Sequence, residues 1–363
     1  MAVSTTALPQ RHHVEFDAGL ISRLCQSGPR YTSYPTADRF PENFSYPDYL
    51  HAVAHARARG SRHPLSLYLH IPFCETICYY CGCNKIVTKN RDKAVTYLGY
   101  LKREIEMQGK LFVGLNHVEQ LHFGGGTPTY LSDEQMVDLM NHIHRWFQLT
   151  DDDKGEYSIE VDPRSVSAER IHRLRKQGFN RISLGVQDIA PEVQRTVNHL
   201  QPEDTTLDII RAAREAKFRS ISIDLIYGLP KQNLQTMAQT LSKVIAANPD
   251  RFAVYHYVHL PHLFKPQRRI HEADLPSSDV KLDMLAMCIQ RLNEAGYVCI
   301  GMGHFAKPDD ELADLGLLTT NDEWISVTLR GRLLIRNICM VFDRHLQHAR
   351  QLQSEPIRYS RTV

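Results

Sequence analysis

The sequence lacks the features that would place it in a membrane or outside the cell. Among its 363 residues, no apolar run approaches the roughly 18 residues that a membrane-spanning helix needs. The first residues, MAVSTTALPQRHHVEF, contain no apolar stretch of the kind found in secretory signals. The 43 Lys and Arg residues are balanced by 41 Asp and Glu residues, so charge does not indicate nucleic acid or a membrane surface as partner. We therefore expect a cytoplasmic protein that binds neither.

The sequence also has no internal repeat, and its regular feature is an alternation of strand and helix patterns from residue 65 to about residue 300. Successive βα units predict a parallel sheet with right-handed crossovers. No Gly-x-Gly-x-x-Gly turn follows the first strand, which favours a barrel over a dinucleotide-binding sheet. We predict the α/β class and a partial (β/α)6 parallel barrel, with strands over 65–73, 118–126, 156–163, 181–188, 220–230 and 251–261.

The two ends of the chain do not follow this alternation. Residues 1–64 contain the turn-rich segment SGPRYTSYPTA and are predicted to form an N-terminal arm or cap. Residues 65–313 form the predicted barrel. Residues 314–363 are predicted to be a short, truncated C-terminal element, with a strand over 324–328 and a helix from about residue 333.

Eight cysteines are present, and four of them lie within ten residues. A disulfide framework would be dispersed and would belong to a small secreted domain. Clustered thiols in a cytosolic chain instead indicate a metal ion, an iron–sulfur cluster or redox chemistry. The four outside the cluster, which we expect mostly to be buried as small hydrophobic residues, are Cys25, Cys288, Cys299 and Cys339.

The segment HIPFCETICYYCGCNK places Cys74, Cys78 and Cys81 at C-x3-C-x2-C, directly after the first predicted strand. Three thiolates on one loop can bind three irons of a 4Fe–4S cluster and leave the fourth iron open. A structural zinc site is an alternative, with Cys83 and His70 as added ligands. A redox pair of Cys78 and Cys81 is another. The position at the carboxyl end of a barrel strand, where sites form, favours the cluster.

Further polar or glycine residues end the later strands. Three glycines, Gly124 to Gly126, end the second strand, where missing side chains would let a ligand approach the backbone. Glu160, Gln187 and Asp224 end the third, fourth and fifth strands. Each could be a buried polar residue satisfied by its neighbours. Because they fall on successive strand ends above the same mouth, they predict a ligand site.

These motifs resemble those of the radical S-adenosylmethionine enzymes, and more narrowly those of the oxygen-independent coproporphyrinogen III oxidase (dehydrogenase) family of haem biosynthesis. Tyr80 and Gly82-Cys83 fit this narrower pattern. The resemblance covers nearly the whole chain, through PRYTSYPTA (29–37), LYLHIPFC (67–74), CYYCGCNKIVT (78–88), HFGGGTPTYL (122–131), IEVDPR (159–164), GVQD (185–188), IDLIYGLPKQ (223–232) and RLLIRNICMVFD (332–343).

The resemblance implies a 4Fe–4S cluster on the three cysteines and S-adenosylmethionine as cofactor, with two such molecules bound. The reaction it implies is the anaerobic decarboxylation of coproporphyrinogen III to protoporphyrinogen IX. The implied partners are this substrate and a flavodoxin-type electron donor, and the expected state is a monomer. The residues that it assigns to S-adenosylmethionine are Tyr68, Gly125, Gly126, Thr127, Glu160, Gln187, Asp224 and Val258, with Tyr80 near the second molecule.

The sequence departs from the family pattern in three places. It is about a hundred residues shorter than is usual, and the absent piece falls near Ala313. Gly303 stands where the family has Asp, and His199 where it has an Arg that contacts a cofactor carboxylate. A neutral imidazole cannot replace a bidentate guanidinium. His199 and Cys83 remain possible catalytic residues.

Two alternatives to the full enzyme follow. One is a haem-binding chaperone related to it, although such relatives typically lack the cysteine at Cys83 and the segment PRYTSYPTA, both present here. The other is a catalytically impaired form with an internal deletion.

Overall fold

The computed structural model describes residues 16–24, 28–29, 31, 34–58, 63–150, 153–309, 332–343 and 345–346. The strands are Leu65–Ile71 (β1), Phe73–Cys74 (β2), Ile86–Val87 (β3), His117–Gly125 (β4), Gln148–Leu149 (β5), Glu156–Val161 (β6), Arg181–Gln187 (β7), Ser220–Tyr227 (β8), Arg251–His256 (β9), Val298–Gly301 (β10) and His304–Ala306 (β11). The helices are Ala18–Leu24 (α1), Tyr46–Ala58 (α2), Asp92–Leu111 (α3), Asp133–Trp146 (α4), Ala168–Lys176 (α5), Pro191–Thr196 (α6), Glu203–Glu215 (α7), Leu234–Ala246 (α8), Ser278–Glu294 (α9) and Ile335–Phe342 (α10). None of these helices is both long and apolar enough to cross a bilayer.

One sheet organises the fold, in the order β1-β4-β6-β7-β8-β9-β11-β10. The first six strands in this order are parallel and appear in chain order, which confirms the six predicted strands and the α/β class. The hairpin of β10 and β11 extends the sheet and is antiparallel to β9. The short strands β2, β3 and β5 and this hairpin were not predicted.

The parallel strands bury one face completely and leave the other half-buried. In β6, β7 and β8, alternate residues are buried, and the residues between them are half-buried. This period of two places all apolar side chains of a strand on one side of the sheet. Polar residues such as Ser158, Glu160, Ser183 and Asp224 therefore share the opposite face, which leads up to the strand ends.

The helices pack onto the apolar face through amphipathic stripes. In α4 the buried residues are Met136, Leu139, Met140 and Ile143, as their spacing predicts. The helix begins at a capping box, in which the Ser132 side chain accepts from the Gln135 backbone and the Gln135 side chain accepts from the Ser132 backbone. The start of this helix is therefore fixed by local sequence.

The described part of the N-terminal arm contacts the C-terminal helix. The Arg336 side chain donates to the carbonyls of Gly28 and Pro29, and the Asn337 side chain donates to the carbonyl of Leu24. Helix α10 confirms the helix expected from about residue 333. The strand predicted over 324–328 lies outside the described residues, as do Cys25 and Ala313. The division at residues 64 and 313 stays a prediction.

The turn between β10 and β11 passes close to β9 at Gly303. Its φ of +80° lies in the left-handed region, and a Cβ atom there would stand 2.5 Å from the carbonyl oxygen of Val254. The Val254 backbone N–H in turn donates to the Gly303 carbonyl at 2.8 Å. The glycine in place of the family's Asp therefore has a structural reason in this chain.

We predict that Gly303→Asp destabilises the protein instead of restoring the family pattern. The backbone strain and the collision with Val254 are expected to cost about 1–3 kcal/mol, seen as a lower midpoint of thermal unfolding. Gly301→Asp is the matched control, since Gly301 also has a positive φ but nothing within 4 Å of its Cβ position. Equal losses in the two variants would contradict a role for the close approach to Val254.

Candidate active site at the carboxyl ends of the strands

A cavity of about 750 Å³ opens at the carboxyl ends of the parallel strands, within the size range of ligand pockets. Most of its lining comes from the cysteine loop between β2 and β3, the turn at the end of β4 and the ends of β6, β7 and β8, and the segment after α6 contributes His199. The predicted site residues that line it are Cys74, Cys78, Tyr80, Cys81, Cys83, Gly125, Gly126, Thr127, Glu160, Gln187, His199 and Asp224. The structure thus brings together residues that are 150 positions apart in sequence.

The cysteine loop is held at its base and at its tip. At the base, β2 pairs with β3, and the Thr88 backbone N–H donates to the Cys74 carbonyl at 2.9 Å. At the tip, the Asn198 side chain, just after α6, donates to the carbonyl of Ile77 at 2.6 Å. The Lys85 ammonium donates to the Cys81 carbonyl at 3.1 Å. The loop is therefore fixed by contacts that leave its sulfur atoms facing the cavity.

The thiols of Cys74, Cys78 and Cys81, which form the cysteine triad, have different surroundings. Burial raises the pKa of the Cys74 thiol, although the Thr127 hydroxyl donates to its sulfur at 3.6 Å. Burial also raises the pKa of Cys78, which Arg164 opposes. The pKa of Cys81 is lowered, because the thiol of Cys83, and also its backbone N–H, donates to the sulfur of Cys81.

This donor set fits a 4Fe–4S cluster better than a single metal ion. Among the described residues, no three His, Cys, Asp or Glu side chains converge where one ion could sit. A cluster binds one cysteine at each of three irons and does not need that convergence, whereas a zinc site does. His70, the extra ligand of the zinc alternative, has both ring nitrogens engaged, one with the Tyr68 hydroxyl and one with the Asn84 carbonyl.

The glycines after β4 are required by close packing. A Cβ atom on Gly126 would lie 2.8 Å from the backbone of Pro72 and Phe73, at the base of the cysteine loop. A Cβ atom on Gly124 would lie 2.8 Å from the Glu160 carboxylate. Gly125 has a φ of +113°. The turn therefore packs directly against the cysteine loop, and its expected contact with a ligand stays a prediction.

Two carboxylates on the strand ends are held by hydrogen bonds. The Glu160 carboxylate accepts from the Gly125 backbone N–H at 3.1 Å and lies 3.2 Å from the His122 ring nitrogen Nε2. The Asp224 carboxylate accepts from the Ser183 hydroxyl at 3.1 Å. Burial raises the pKa of Asp224 to about 7. Both groups point toward the cavity from the polar face of the sheet.

Comparison with known proteins places this site in a family. The Radical SAM superfamily matches residues 68–244 of the chain. The chain is 53% identical over 300 residues to the oxygen-independent coproporphyrinogen III oxidase of Pseudomonas aeruginosa, covering 83% of this chain and 65% of that protein. It is 48% identical over 346 residues to the Escherichia coli K12 protein of the same name, covering 94% and 74% of the two chains.

Comparison with solved structures identifies a similar protein. The structure described as coproporphyrinogen III oxidase (HemN) from Escherichia coli, a radical SAM enzyme, superposes with a TM-score of 0.77 at 49% identity, covering 83% of this chain and 66% of that one. The chain belongs to the oxygen-independent coproporphyrinogen III oxidase family. The resemblance seen in the sequence motifs is therefore confirmed. The chain spans 65–74% of the length of the two curated relatives.

Membership of the coproporphyrinogen III oxidase family implies a 4Fe–4S cluster and S-adenosylmethionine as cofactors. Two residues that the family pattern assigns to S-adenosylmethionine lie beside the cavity instead of lining it. The Tyr68 ring stacks on His122, with 5.5 Å between ring centroids. The Val258 carbonyl accepts from the Gln267 side chain, which also donates to the Tyr80 carbonyl. Gln267 thus ties the segment after β9 to the cysteine loop.

His199, where the family pattern has Arg, is buried against the cysteine loop and only 4% exposed. Its Nδ1 atom lies 3.3 Å from the Cys78 sulfur and 3.4 Å from the Tyr80 hydroxyl. Its Nε2 atom lies 3.1 Å from the Gln201 side-chain oxygen. Burial lowers the pKa of His199 to about 4, so the imidazole is neutral near pH 7.

Sequence reasoning missed several polar residues of this site, namely His122, Arg164, Ser183 and Gln201. The alternation of faces along a strand could have identified two of them, His122 and Ser183. His122 lies two residues before Gly124 on the same face of β4, and Ser183 lies likewise on the polar face of β7. Arg164 and Gln201 come from segments after strand or helix ends, and their approach depends on the tertiary fold.

Proposed function

We propose that this protein catalyses the anaerobic oxidative decarboxylation of coproporphyrinogen III to protoporphyrinogen IX in haem biosynthesis. The observation that carries the proposal is the meeting of Cys74, Cys78 and Cys81 with the glycine turn and the strand-end carboxylates around one cavity. This combination offers three thiolates for a cluster next to polar groups for a charged organic cofactor. The names of the relatives support the substrate.

In this proposal the three cysteines hold the 4Fe–4S cluster, one at each of three irons. When bound, the cluster and S-adenosylmethionine, with one electron from the reductant, would supply the radical chemistry that removes a hydrogen atom from a propionate side chain of the substrate. Loss of CO2 and of one further electron to a one-electron acceptor would then leave a vinyl group. The residues proposed to bind S-adenosylmethionine are Tyr68, Tyr80, Gly125, Gly126, Thr127, Glu160, Gln187, Asp224 and Val258. A second molecule of S-adenosylmethionine near Tyr80 is part of the proposal.

The chain's own residues position these groups and keep water away from them. Glu160 is tied by the Gly125 N–H to the turn that packs on the cysteine loop. Movement of either element is thus resisted by the other. The buried apolar residues beneath this face, including Phe123, Ile159 and Leu184, are fully shielded from solvent. Preorganisation of this kind holds reacting atoms in place, and a misplacement of about 1 Å can cost on the order of a hundredfold in rate.

The remaining parts of the proposal concern partners and location. We propose a flavodoxin-type reductant as electron donor, a monomeric state and a cytoplasmic location. Free thiols at Cys74, Cys78, Cys81 and Cys83 support a reducing compartment, because disulfides persist only in oxidising ones.

The test is an anaerobic assay of the cluster-loaded protein with a chemical reductant, S-adenosylmethionine, coproporphyrinogen III and a one-electron acceptor. We expect CO2 release and a vinyl product that depend on both added substrates. 5′-Deoxyadenosine should exceed CO2, because His199 is packed against Cys78 and Tyr80 and offers no guanidinium to a cofactor carboxylate. The Cys78→Ala variant, which lacks one of the proposed cluster ligands, is the negative control.

Two outcomes would count against the proposal. Production of 5′-deoxyadenosine without any CO2 would overturn the substrate assignment while leaving the radical chemistry in place. Absence of both products from a protein that retains its iron would overturn the enzymatic function, and stoichiometric haem binding by that protein would favour the chaperone alternative.

A further inference from the structure

The sulfur of Cys78 has an environment unlike that of the other two triad sulfurs. A terminal nitrogen of Arg164 donates to it at 3.7 Å on one side, and the His199 ring approaches to 3.3 Å on the other. Of the three triad cysteines, Cys78 is the one whose sulfur accepts a hydrogen bond from a guanidinium within the described residues. The charged side chain against Cys81 is Lys85, an ammonium that acts on the Cys81 sulfur and also donates to the carbonyls of Cys81 and Cys83.

Arg164 is held rigidly in this position. Its guanidinium pairs with Asp162 through two hydrogen bonds, from Nε to Oδ1 at 2.9 Å and from Nη2 to Oδ2 at 2.7 Å. Asp162 itself caps the short turn after β6, where it accepts from the Arg164 backbone N–H at 3.0 Å. The two side chains are only 20% and 21% exposed. A planar, two-point pair of this kind fixes the direction in which the remaining N–H groups point.

His199 cannot supply the same hydrogen bond. The Gln201 side-chain nitrogen donates to the Thr206 hydroxyl at 2.6 Å, so the Gln201 oxygen must face His199. The proton of the neutral ring therefore lies on Nε2, which donates to that oxygen. Nδ1, the atom nearest Cys78, is left as an acceptor for the Tyr80 hydroxyl. Arg164 is thus the donor to the Cys78 sulfur, and His199 is not.

We propose that Arg164, held by Asp162, sets the reduction potential of the iron–sulfur cluster through its hydrogen bond to the Cys78 sulfur. The inference rests on the proposed function in that it needs the cluster on this cysteine. Hydrogen bonds and positive charge at a cysteine ligand stabilise the reduced cluster, which carries one more electron, and so raise its potential. Arg164 thereby makes the cluster easier to reduce, while the Asp162 carboxylate offsets part of its charge.

The experiment compares four variants of the full chain, each loaded anaerobically with its cluster and without S-adenosylmethionine. Arg164→Met removes the donor, Arg164→Lys keeps a charge without the two-point pair, and Asp162→Asn keeps the turn cap but removes the offsetting charge. Arg173→Met is the control, because Arg173 pairs on the surface with Asp133 and Glu169. The midpoint potential is followed by electron paramagnetic resonance of the reduced cluster at set potentials.

At a fixed potential we expect Arg164→Met to lower the ratio of reduced to oxidised cluster by at least tenfold, about 59 mV for a one-electron couple. Arg164→Lys should fall between this variant and the unmodified protein. Asp162→Asn should move the potential in the opposite direction, and Arg173→Met should leave it unchanged.

An unchanged potential in Arg164→Met with full iron content would overturn the inference. If Arg164→Met loses its iron, the Asp162→Asn variant provides the test instead. An unchanged or lowered midpoint potential in Asp162→Asn would then overturn the inference. These results leave the proposed function standing. Failure of the unmodified protein to bind about four irons would instead refute the proposed function itself.

Discussion

Replacing any one of Cys74, Cys78 or Cys81 by alanine is expected to abolish the iron–sulfur cluster and every activity that depends on it. In the proposed cluster each of the three cysteines supplies the protein ligand of one iron, and their sulfurs reach one cavity from a loop fixed at both ends. Loss of one ligand leaves an iron without protein attachment. The measurement is iron per chain together with the broad visible absorbance after anaerobic loading.

Three other cysteines serve as controls for this expectation. Cys83 lines the same cavity and hydrogen-bonds to Cys81, so Cys83→Ala tests proximity without ligation. Cys288 lies on the buried face of α9, and Cys339 is half-buried on α10. All three alanine variants should retain about four irons. Recovery of stoichiometric zinc from the unmodified protein, or full iron content in a triad variant, would refute the assignment of the ligands.

The next largest effect is expected for S-adenosylmethionine affinity on truncation of Glu160 or Asp224. In the proposed function the Glu160 and Asp224 carboxylates, which face the cavity, accept hydrogen bonds from donor groups of S-adenosylmethionine, and each alanine variant leaves such a donor without its acceptor. An unpaired partner in a closed site costs about 1–3 kcal/mol, which corresponds to a dissociation constant raised about 5- to 150-fold. Equilibrium dialysis of the cluster-loaded protein measures this dissociation constant for S-adenosylmethionine.

A surface carboxylate and a conservative variant separate binding from folding in this experiment. Glu119, on β4, is exposed, so Glu119→Ala should bind S-adenosylmethionine normally. Glu160→Gln keeps an acceptor for the Gly125 N–H and should lose less affinity than Glu160→Ala. Iron content should be unchanged in all variants, and thermal unfolding reports separately the stability lost where the Gly125 N–H or the Ser183 hydroxyl loses its acceptor. Unaltered affinity in both Glu160→Ala and Asp224→Ala would show that these carboxylates serve only to support the sheet.

The parallel part of the fold was predictable because its signals are local. Each of the six parallel strands is an apolar run long enough to be recognised, and the start of α4 is set by Ser132 and Gln135. The hairpin of β10 and β11 could not be predicted, because its pairing with β9 depends on the approach of Gly303 to Val254. Strands of two residues, such as β2, carry too little sequence pattern to be seen.

Within the candidate site, the sequence identified side chains but not their partners. The cysteine spacing and the strand-end positions of Glu160 and Asp224 follow from residue order alone. The partners His122 and Ser183 depend on which residues face each other across neighbouring strands, and Arg164 reaches Cys78 from 86 positions away. The glycine turn was predicted for ligand access, whereas the structure gives it a further reason in its close packing against Pro72 and Phe73.

The contact between the N-terminal arm and α10 has a consequence for biosynthesis. The hydrogen bonds from Arg336 join residues more than 300 positions apart, so the carbonyls of Gly28 and Pro29 leave the ribosome long before their donor is made. At about 5–20 residues per second, that interval lasts roughly 15–60 s. The barrel strands, which end at residue 306, are all translated within it. The contact of Gly28 and Pro29 with α10 therefore forms only after the strands of the sheet have been synthesised.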